Sequence, residues 1–391
     1  MSDEATAIFE FATANHILFG PGLAETVPGI AAGLASRVFL VAGGTPERFG
    51  SIWSQMTAEN LACETFSVTG EPTTDTVQSA VTSARAFGAD GVVAIGGGSV
   101  IDTGKAVAAM LSNDGQLLDY LEVVGAGRPL EHPSVPYIAV PTTAGTGAEV
   151  TRNAVLSVPE HRVKVSMRSP FLLPQVALVD PVLTHSMPAE LTASTGLDAL
   201  TQLIEAFVSN KANPLTDGIC REGLTRAGRS LRRAFEDGHD TGARADMALA
   251  SLFSGLALAN AKLGAVHGFA GPLGGLIGAP HGVICGKLLP YVMEANVQAL
   301  RDRAPESPVL GRFDDVARLL SDDAQADASD AVTWIQSLCE TLRMPGLRDY
   351  GLTDEVVPAA AEKARKASSM KGNPVELTVA ELTAILEAAS S

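Results

Sequence analysis

The chain has 391 residues, 46% of them hydrophobic and 18% charged, with a mean hydropathy of +0.19. That length suits two or three domains with large buried cores. A formal net charge of −16, with 28 basic against 44 acidic residues, excludes nucleic acid and anionic membrane surfaces as partners. Four widely spaced cysteines, Cys63, Cys220, Cys285 and Cys339, form no C-x-x-C pair and fit free thiols of a reducing compartment. The acidic N-terminus lacks the basic and apolar regions of a secretory leader. The most apolar window, residues 248–266, carries Ser251, Ser254, Asn260 and Lys262, so it reads as a packed bundle helix rather than a membrane span. A cytoplasmic protein is expected.

Residues 9–19 alternate in hydrophobicity and predict one or two strands, closed by the turn Gly20-Pro21-Gly22. A helix is expected over 23–34, a buried strand over 37–42, a helix over 51–61, a strand over 63–68 and a helix over 73–87. Gly91-Val92-Val93-Ala94-Ile95 is a further buried strand. It enters Gly96-Gly97-Gly98-Ser99, and a helix is expected over 103–111. This alternation predicts an α/β domain built on a doubly wound parallel sheet, Rossmann-like in kind. Ligands of such sheets bind at the carboxyl ends of the strands, where both Gly43-Gly44 and Gly96-Gly97-Gly98 lie.

Gly43, Gly97, Gly98 and Ser99 are therefore candidate cofactor contacts. Glycines let the backbone approach a diphosphate with no Cβ in the way. Backbone N–H groups at a helix N-terminus face an anion, and Ser99 adds a hydroxyl. The run is not the G-x-G-x-x-G fingerprint, and a glycine-rich turn that binds nothing is the plain alternative. A strand over 137–140 then enters Pro141-Thr142-Thr143-Ala144-Gly145-Thr146-Gly147-Ala148-Glu149. Thr142, Thr143 and Thr146 each offer a hydroxyl to phosphate or ribose. A short strand over 162–167 makes Lys164 available to an anionic cofactor, and 175–181 reads as the last strand.

After Pro188 the strand signals vanish. Helices are expected over 189–210, 217–236, 243–263 and several times after 283, with a solvated loop at 321–330. The division predicted is an α/β dinucleotide-binding domain, 1–187, and an all-helical metal and substrate domain, 188–391. In the first of these helices Asp198, Thr201, Gln202 and Glu205 form a polar stripe at i, i+3, i+4 and i+7 on an otherwise apolar helix. His267 and His281 follow in apolar, glycine-rich surroundings, where an unpaired imidazole is costly. A carboxylate with two imidazoles suggests a divalent-metal site. A Lewis acid beside a nucleotide cleft is what alcohol–carbonyl hydride transfer needs.

These blocks, in this order, resemble the iron-containing (group III) alcohol dehydrogenases over nearly the whole chain. They are Gly96-Gly97-Gly98-Ser99-x-x-Asp102-x-x-Lys105, residues 141–149, Asp180-Pro181, Met187-Pro188, Thr195-Gly196-Leu197-Asp198-Ala199-Leu200-Thr201, Ala212-Asn213-Pro214, Pro280-His281-Gly282 and Leu288-Leu289-Pro290. The resemblance implies a dehydroquinate synthase-like architecture with the active site between an α/β and an all-α domain. It implies a homodimer or larger homo-oligomer and a divalent metal, Fe2+ or in some members Zn2+, held by one Asp and three His. Asp198, His267 and His281 fall on three of those positions as catalytic and metal-binding residues. Gln202 stands where the family usually has its remaining His, and is taken as ligand or near-ligand. Gly271 stands where a further His often lies near the nicotinamide. The implied cofactor contacts are Gly97, Gly98, Ser99, Thr142, Thr143, Thr146 and Lys164, with Gly43 and Asp102 in the same candidate set.

The cofactor is NAD or NADP. The second strand ends in Gly43-Gly44-Thr45 with Arg48 nearby, and not in the Asp that NAD-preferring members commonly carry there, so the reading favours NADP. The expected reaction interconverts a small alcohol and its aldehyde or ketone by metal-assisted hydride transfer. The altered metal shell suggests a substrate with a chelating or anionic group of its own. The alternatives are a maleylacetate-reductase-like enzyme acting on an oxo acid, a dehydroquinate-synthase-like lyase, and a metal-free relative with a nucleotide-binding or assembly role.

Overall fold

The short apolar runs of the first half line up as strands in the computed structural model, which describes residues 8–44, 46–161 and 163–390. In chain order these are β1 (His16–Phe19), α1 (Val27–Ala32), β2 (Arg37–Gly43), α2 (Gly50–Ala58), β3 (Ala62–Val68), α3 (Thr74–Phe87), β4 (Gly91–Gly96), α4 (Gly98–Ser112), β5 (Tyr137–Pro141), β6 (Asn153–Val158), β7 (Val163–Arg168) and β8 (Val176–Val179). Six strands form a parallel sheet in the order β1-β8-β5-β4-β2-β3. Both faces are covered. Phe39, Val41, Val92 and Ala94 point into one core with α3 and α4, while Val38, Leu40, Val93 and Ile95 point into the other with α1 and α2. Burial on both sides is why these strands read as continuous β-branched runs.

Chain progression reverses between β2 and β4. β3 lies beyond β2, and the next strand, β4, returns to its other side. Such a switch point opens a crevice at the carboxyl ends of the two strands. Gly43 ends β2 there and Gly96 ends β4.

Several expectations shift. The first strand is confined to His16–Phe19, and the helix expected over 23–34 divides into a 3-10 turn, Leu23–Thr26, and α1, entered through Pro28. Helix α4 begins at Gly98, so the glycine turn is itself the first helical turn. The short strand expected over 162–167 is β7, Val163–Arg168, which lies outside the main sheet and pairs antiparallel with β6, a strand the sequence pattern did not reveal. Arg162 lies outside the described residues. The last strand, β8, lies inside the sheet, between β1 and β5.

From Ala189 onward the described residues hold helices and turns. They are α5 (Ala189–Val208), α6 (Pro214–Glu236), α7 (Thr241–Ala261), α8 (Ala265–Ile277), α9 (His281–Arg303), α10 (Val309–Ser321), α11 (Ala328–Thr341), α12 (Val357–Arg365) and α13 (Val379–Ala389). Helix α5 is enclosed by α6, α7 and α9 and is buried continuously from Gly196 to Val208. The apolar window 248–266 is not one helix. It breaks at Lys262, whose φ is 62°, and α8 leaves at 100° to α7. No single helix among the described residues is long and apolar enough to cross a membrane.

Two contacts show how tightly the halves meet. Gly147, at φ +60°, packs on α7 so closely that a Cβ would lie 2.5 Å from the Gly255 Cα. No L side chain fits there in space or in backbone angle. The second is Arg244, which is 2% exposed and whose guanidinium donates to Thr192 Oγ1 (2.9 Å), the Met187 carbonyl (3.3 Å) and the Gly238 carbonyl (2.9 Å). It pins the chain where it passes from the sheet into α5.

Candidate active site

Helix α5 organises the site. Asp198, Gln202 and Glu205 lie on one face of it, all buried. Thr201, also in the polar stripe, turns back to donate to its own helix at the Leu197 carbonyl (2.7 Å) and takes no part. Helix α8 brings His267 to that face and α9 brings His281 in its first turn. His267 Nε2 is 3.3 Å from Asp198 Oδ1 and His281 Nε2 is 3.6 Å from the same oxygen. The two imidazoles are 5.3 Å apart, centroid to centroid. Cys285, one turn beyond His281 on α9, completes the group. Donor atoms of Asp198, His267, His281 and Cys285 all lie within 4.8 Å of one another.

The break at Lys262 explains how His267 arrives. It aims the free N–H groups of α8's first turn at α5, where Glu205 Oε1 accepts from Val266 N (2.7 Å). Asn373 Oδ1 accepts from Ala265 N (3.1 Å). Glu205 Oε2 then pairs with His267 Nδ1 at 2.6 Å. With Nδ1–H donated to Glu205, Nε2 presents its lone pair to the cluster. Glu205 thus caps a helix and sets an imidazole tautomer at once. Glu205→Gln is expected to weaken metal binding about 10–100-fold. A chelator-competition titration beside a melting curve separates that loss from a loosened α8.

The electrostatics favour a cation at the centre. Burial pushes the Asp198 carboxyl up, but His281 and His267 outweigh it and hold it below the usual carboxylate range. Burial lowers both imidazoles, yet Cys285 and Asp198 raise His281, and Cys285, Asp198 and Glu205 raise His267 well above its ordinary value. Gln202 adds a buried amide whose Oε1 has no hydrogen-bond partner, while its Nε2 is 3.5 Å from Asp198 Oδ1. A buried carboxylate oxygen, two imidazoles and a thiol within 4.8 Å of one another are a donor set that fits a divalent cation.

The nucleotide side is a turn without side chains. Gly97 caps α4, and the first N–H groups of the helix, at Gly98 and Ser99, have no intrahelical acceptor. The threonine loop closes over this turn. A Cβ on Gly98 would lie 3.1 Å from Thr146 Oγ1, and one on Gly97 would lie 3.4 Å from Thr143 Cγ2. Thr142 N donates to the Gly96 carbonyl (2.9 Å). Gly43 lies beside Gly96 and the Val100 side chain. The far side of the same loop reaches the metal helix, where Gly145 lies against Thr195, one turn before Asp198. One loop therefore touches both the open helix N-terminus and α5.

Two cofactor candidates have other partners. Asp102 Oδ2 accepts from Val155 N (3.0 Å), and its Oδ1 is 3.7 Å from Lys105, so its carboxylate serves β6 and the buried lysine. Lys164 forms an ion pair with Glu71 and lies beside Gly274 of α8, within the region where β7 meets the helical half. Arg48 bonds the Ser186 hydroxyl, and Thr45 lies outside the described residues. Gly271, one turn beyond His267, has open space where its Cβ would be. Sequence reasoning assigned no role to Cys285 beyond a free thiol, although its spacing of four from His281 places both on one helix face.

Comparison with known proteins gives a consistent result. The family described as Iron-containing alcohol dehydrogenase matches residues 14–181, and the Fe-containing alcohol dehydrogenase family, C-terminal, matches residues 192–390. The 4-hydroxybutyrate dehydrogenase of Cupriavidus necator is 36% identical, over 81% of this chain and 82% of its own length. A crystal structure of 1,3-propanediol oxidoreductase superposes with a TM-score of 0.90 at 33% identity, over 98% of this chain and 100% of that one. The sulfoacetaldehyde reductase of Bifidobacterium kashiwanohense, solved in complex with NAD+, superposes with a TM-score of 0.86 at 31% identity, over 99% and 100%. With both halves matched and the carboxylate–imidazole cluster in place, the chain belongs to the iron-containing alcohol dehydrogenase family, whose members interconvert alcohols and carbonyl compounds.

Proposed function

We propose that this chain is an NAD(P)-dependent, metal-assisted dehydrogenase of a small alcohol and its aldehyde or ketone. One observation carries the reading: the threonine loop joins the open N-terminus of α4 to the helix that bears Asp198. Asp198, His267 and His281 would hold the metal, with the Gln202 amide adjoining Asp198. When bound, a divalent cation there polarises the substrate carbonyl or acidifies the substrate hydroxyl. A nicotinamide bound beside it would supply or accept the hydride.

The residues of the chain do the positioning. The N–H groups of Gly98 and Ser99 would bind the diphosphate at the helix N-terminus. Thr142, Thr143 and Thr146 would donate to phosphate or ribose oxygens, and Lys164, held by Glu71, stands at the seam between the halves. Glu205 holds the His267 ring in one orientation. Gly271 offers no side chain to relay a proton, so the proton exchanges with water or a ribose hydroxyl. We read NADP as the preferred cofactor, because Gly43-Gly44 presents no carboxylate to repel a 2′-phosphate and Arg48 is close in sequence. Substrates with an anionic group suit the altered donor set. The relatives named for 4-hydroxybutyrate and sulfoacetaldehyde give that class a first substrate panel. Four unpaired cysteines support a cytoplasmic location, and the family likeness supports a homo-oligomer.

Elemental analysis of the protein as purified, followed by chelation and metal add-back, tests the reading. Stoichiometric metal is expected, with turnover lost on chelation and regained on add-back, and kcat/KM higher with NADP(H). Full turnover without metal would overturn the metal role, and a large preference for NAD(H) would overturn the cofactor choice.

A further inference from the structure

The cluster has one neutral donor where a stronger one is expected. Gln202, one turn past Asp198, offers an amide, and its buried oxygen is unpartnered. Across the site α9 supplies two groups to one place, His281 and, four residues later, Cys285. The Cys285 sulfur is 3.8 Å from His267 Nε2 and within 4.8 Å of the donor atoms of all three other residues.

The plain alternative is that Cys285 is a small buried hydrophobe. The other interior cysteines show what that looks like. Cys220 is packed among apolar residues of α5 and α6, and burial pushes its thiol far up. Cys339 donates to the Gly286 carbonyl (3.4 Å), and burial pushes it up to about 12. Neither joins a group of possible ligands among the described residues. Cys285 instead faces two imidazoles and a carboxylate.

We propose that Cys285 is a metal ligand in this enzyme, its thiolate joining Asp198 oxygen and the Nε2 atoms of His267 and His281 in a mixed S, N, N, O set that selects zinc over iron. This rests on the reading that the cluster holds a divalent cation. Binding forms one sulfur–metal bond and breaks one S–H bond, with the proton released to water and no change of oxidation state. Divalent sites of nitrogen, oxygen and sulfur donors generally hold zinc more tightly than Fe2+, and a thiolate, the soft member of this set, widens that margin. Catalytic zinc in some enzymes expands to five ligands in the transition state, which leaves room for a substrate oxygen beside four protein donors. Gln202 is then free to hold Asp198 by hydrogen bond rather than to ligate.

Zinc-edge X-ray absorption on the zinc-loaded full chain tests this directly. One sulfur neighbour at about 2.3 Å is expected, with nitrogen and oxygen neighbours at about 2.0–2.1 Å. Bound zinc with only nitrogen and oxygen neighbours overturns the inference and leaves the metal reading intact. Failure of the chain to retain any divalent metal overturns both. The cobalt(II)-substituted protein gives a second, independent readout. An intense near-ultraviolet sulfur-to-cobalt charge-transfer band is expected, and Cys285→Ser abolishes it while the visible cobalt bands remain. A band that persists in Cys285→Ser overturns the assignment. Competition between Zn2+ and Fe2+ is expected to shift toward iron by about tenfold or more in Cys285→Ser, about 1.4 kcal/mol. Should that variant fail to fold, the X-ray absorption of the unaltered protein decides.

Discussion

Asp198→Asn is expected to strip the protein of its metal and lower turnover by about a thousandfold or more. The substitution keeps the shape of the side chain and removes its charge. That matters because Asp198 is 2% exposed, and both imidazoles converge on one of its oxygens, at 3.3 and 3.6 Å. A neutral amide there leaves the imidazoles with no carboxylate between them, and a divalent cation with less to offset its lost water. Elemental analysis and turnover read the effect. Reduced-cofactor fluorescence provides the control, because the glycine turn and threonine loop are untouched. Binding of NAD(P)H within a fewfold of the parent is expected. Full metal content with undiminished turnover would remove Asp198 from the machinery.

The same variant separates two ways in which the cluster is held together. Asp198 and Glu205 stand two turns apart on α5, and His267 contacts both through opposite ring nitrogens. Removing the carboxylate at Nε2 leaves the Glu205 bond at Nδ1, and with it the cap on α8. The helix therefore stays docked while the metal is lost. Glu205→Gln acts from the other end, loosening the ring without deleting a ligand. The larger effect belongs to Asp198 on that ground.

How far the sequence discloses this arrangement depends on the physical signal each part leaves. The strands β2 and β4 are legible because burial on both faces writes them as unbroken β-branched runs. The start of α4 is masked, since Gly98 and Ser99 have poor helix propensity and look like a turn. The hairpin β6–β7 is half hidden because the tight turn between its strands holds Pro159, Glu160 and His161 and no glycine. The place of β8 inside the sheet leaves no trace at all, because periodicity reports faces and not neighbours. In the site, Asp198, Gln202 and Glu205 announce themselves as polar residues at helical spacing on an apolar helix. Helix α8 does not, for Gly268, Gly271, Pro272 and Gly274 dilute its pattern, and no helix is expected there from the sequence. Cys285 is missed for a different reason. A cysteine without a nearby cysteine is read for redox compartment, and its register with His281 becomes meaningful only once α9 is known to begin at that histidine.

Replacing Glu149 by Gln is expected to remove a pH dependence of stability worth about 3 kcal/mol. Glu149 ends the threonine loop, is 2% exposed, and shares an enclosure with Lys105, Asp102 and Tyr137. Lys105 is fully buried and donates to Thr151 Oγ1 and the Asn153 carbonyl, both at 2.8 Å. Burial pushes the Glu149 carboxyl from its ordinary 4.5 up to about 7, with Lys105 acting in the opposite sense. The folded chain therefore binds this proton more tightly than the unfolded chain. Its contribution is fully present below pH 4.5 and is lost as pH rises through about 7. The difference of about 2.5 units, at 1.36 kcal/mol each, sets the size. Glutamine keeps the neutral form at every pH. Urea unfolding at pH 5 and pH 8 checks the expectation: the two proteins have similar midpoints at pH 5, and the variant is more stable at pH 8. Parallel pH profiles would show that Lys105 keeps Glu149 ionised throughout. Because the loop that Glu149 anchors also lies over Gly97 and Gly98, the same titration predicts weaker cofactor binding in the parent at high pH than in Glu149→Gln.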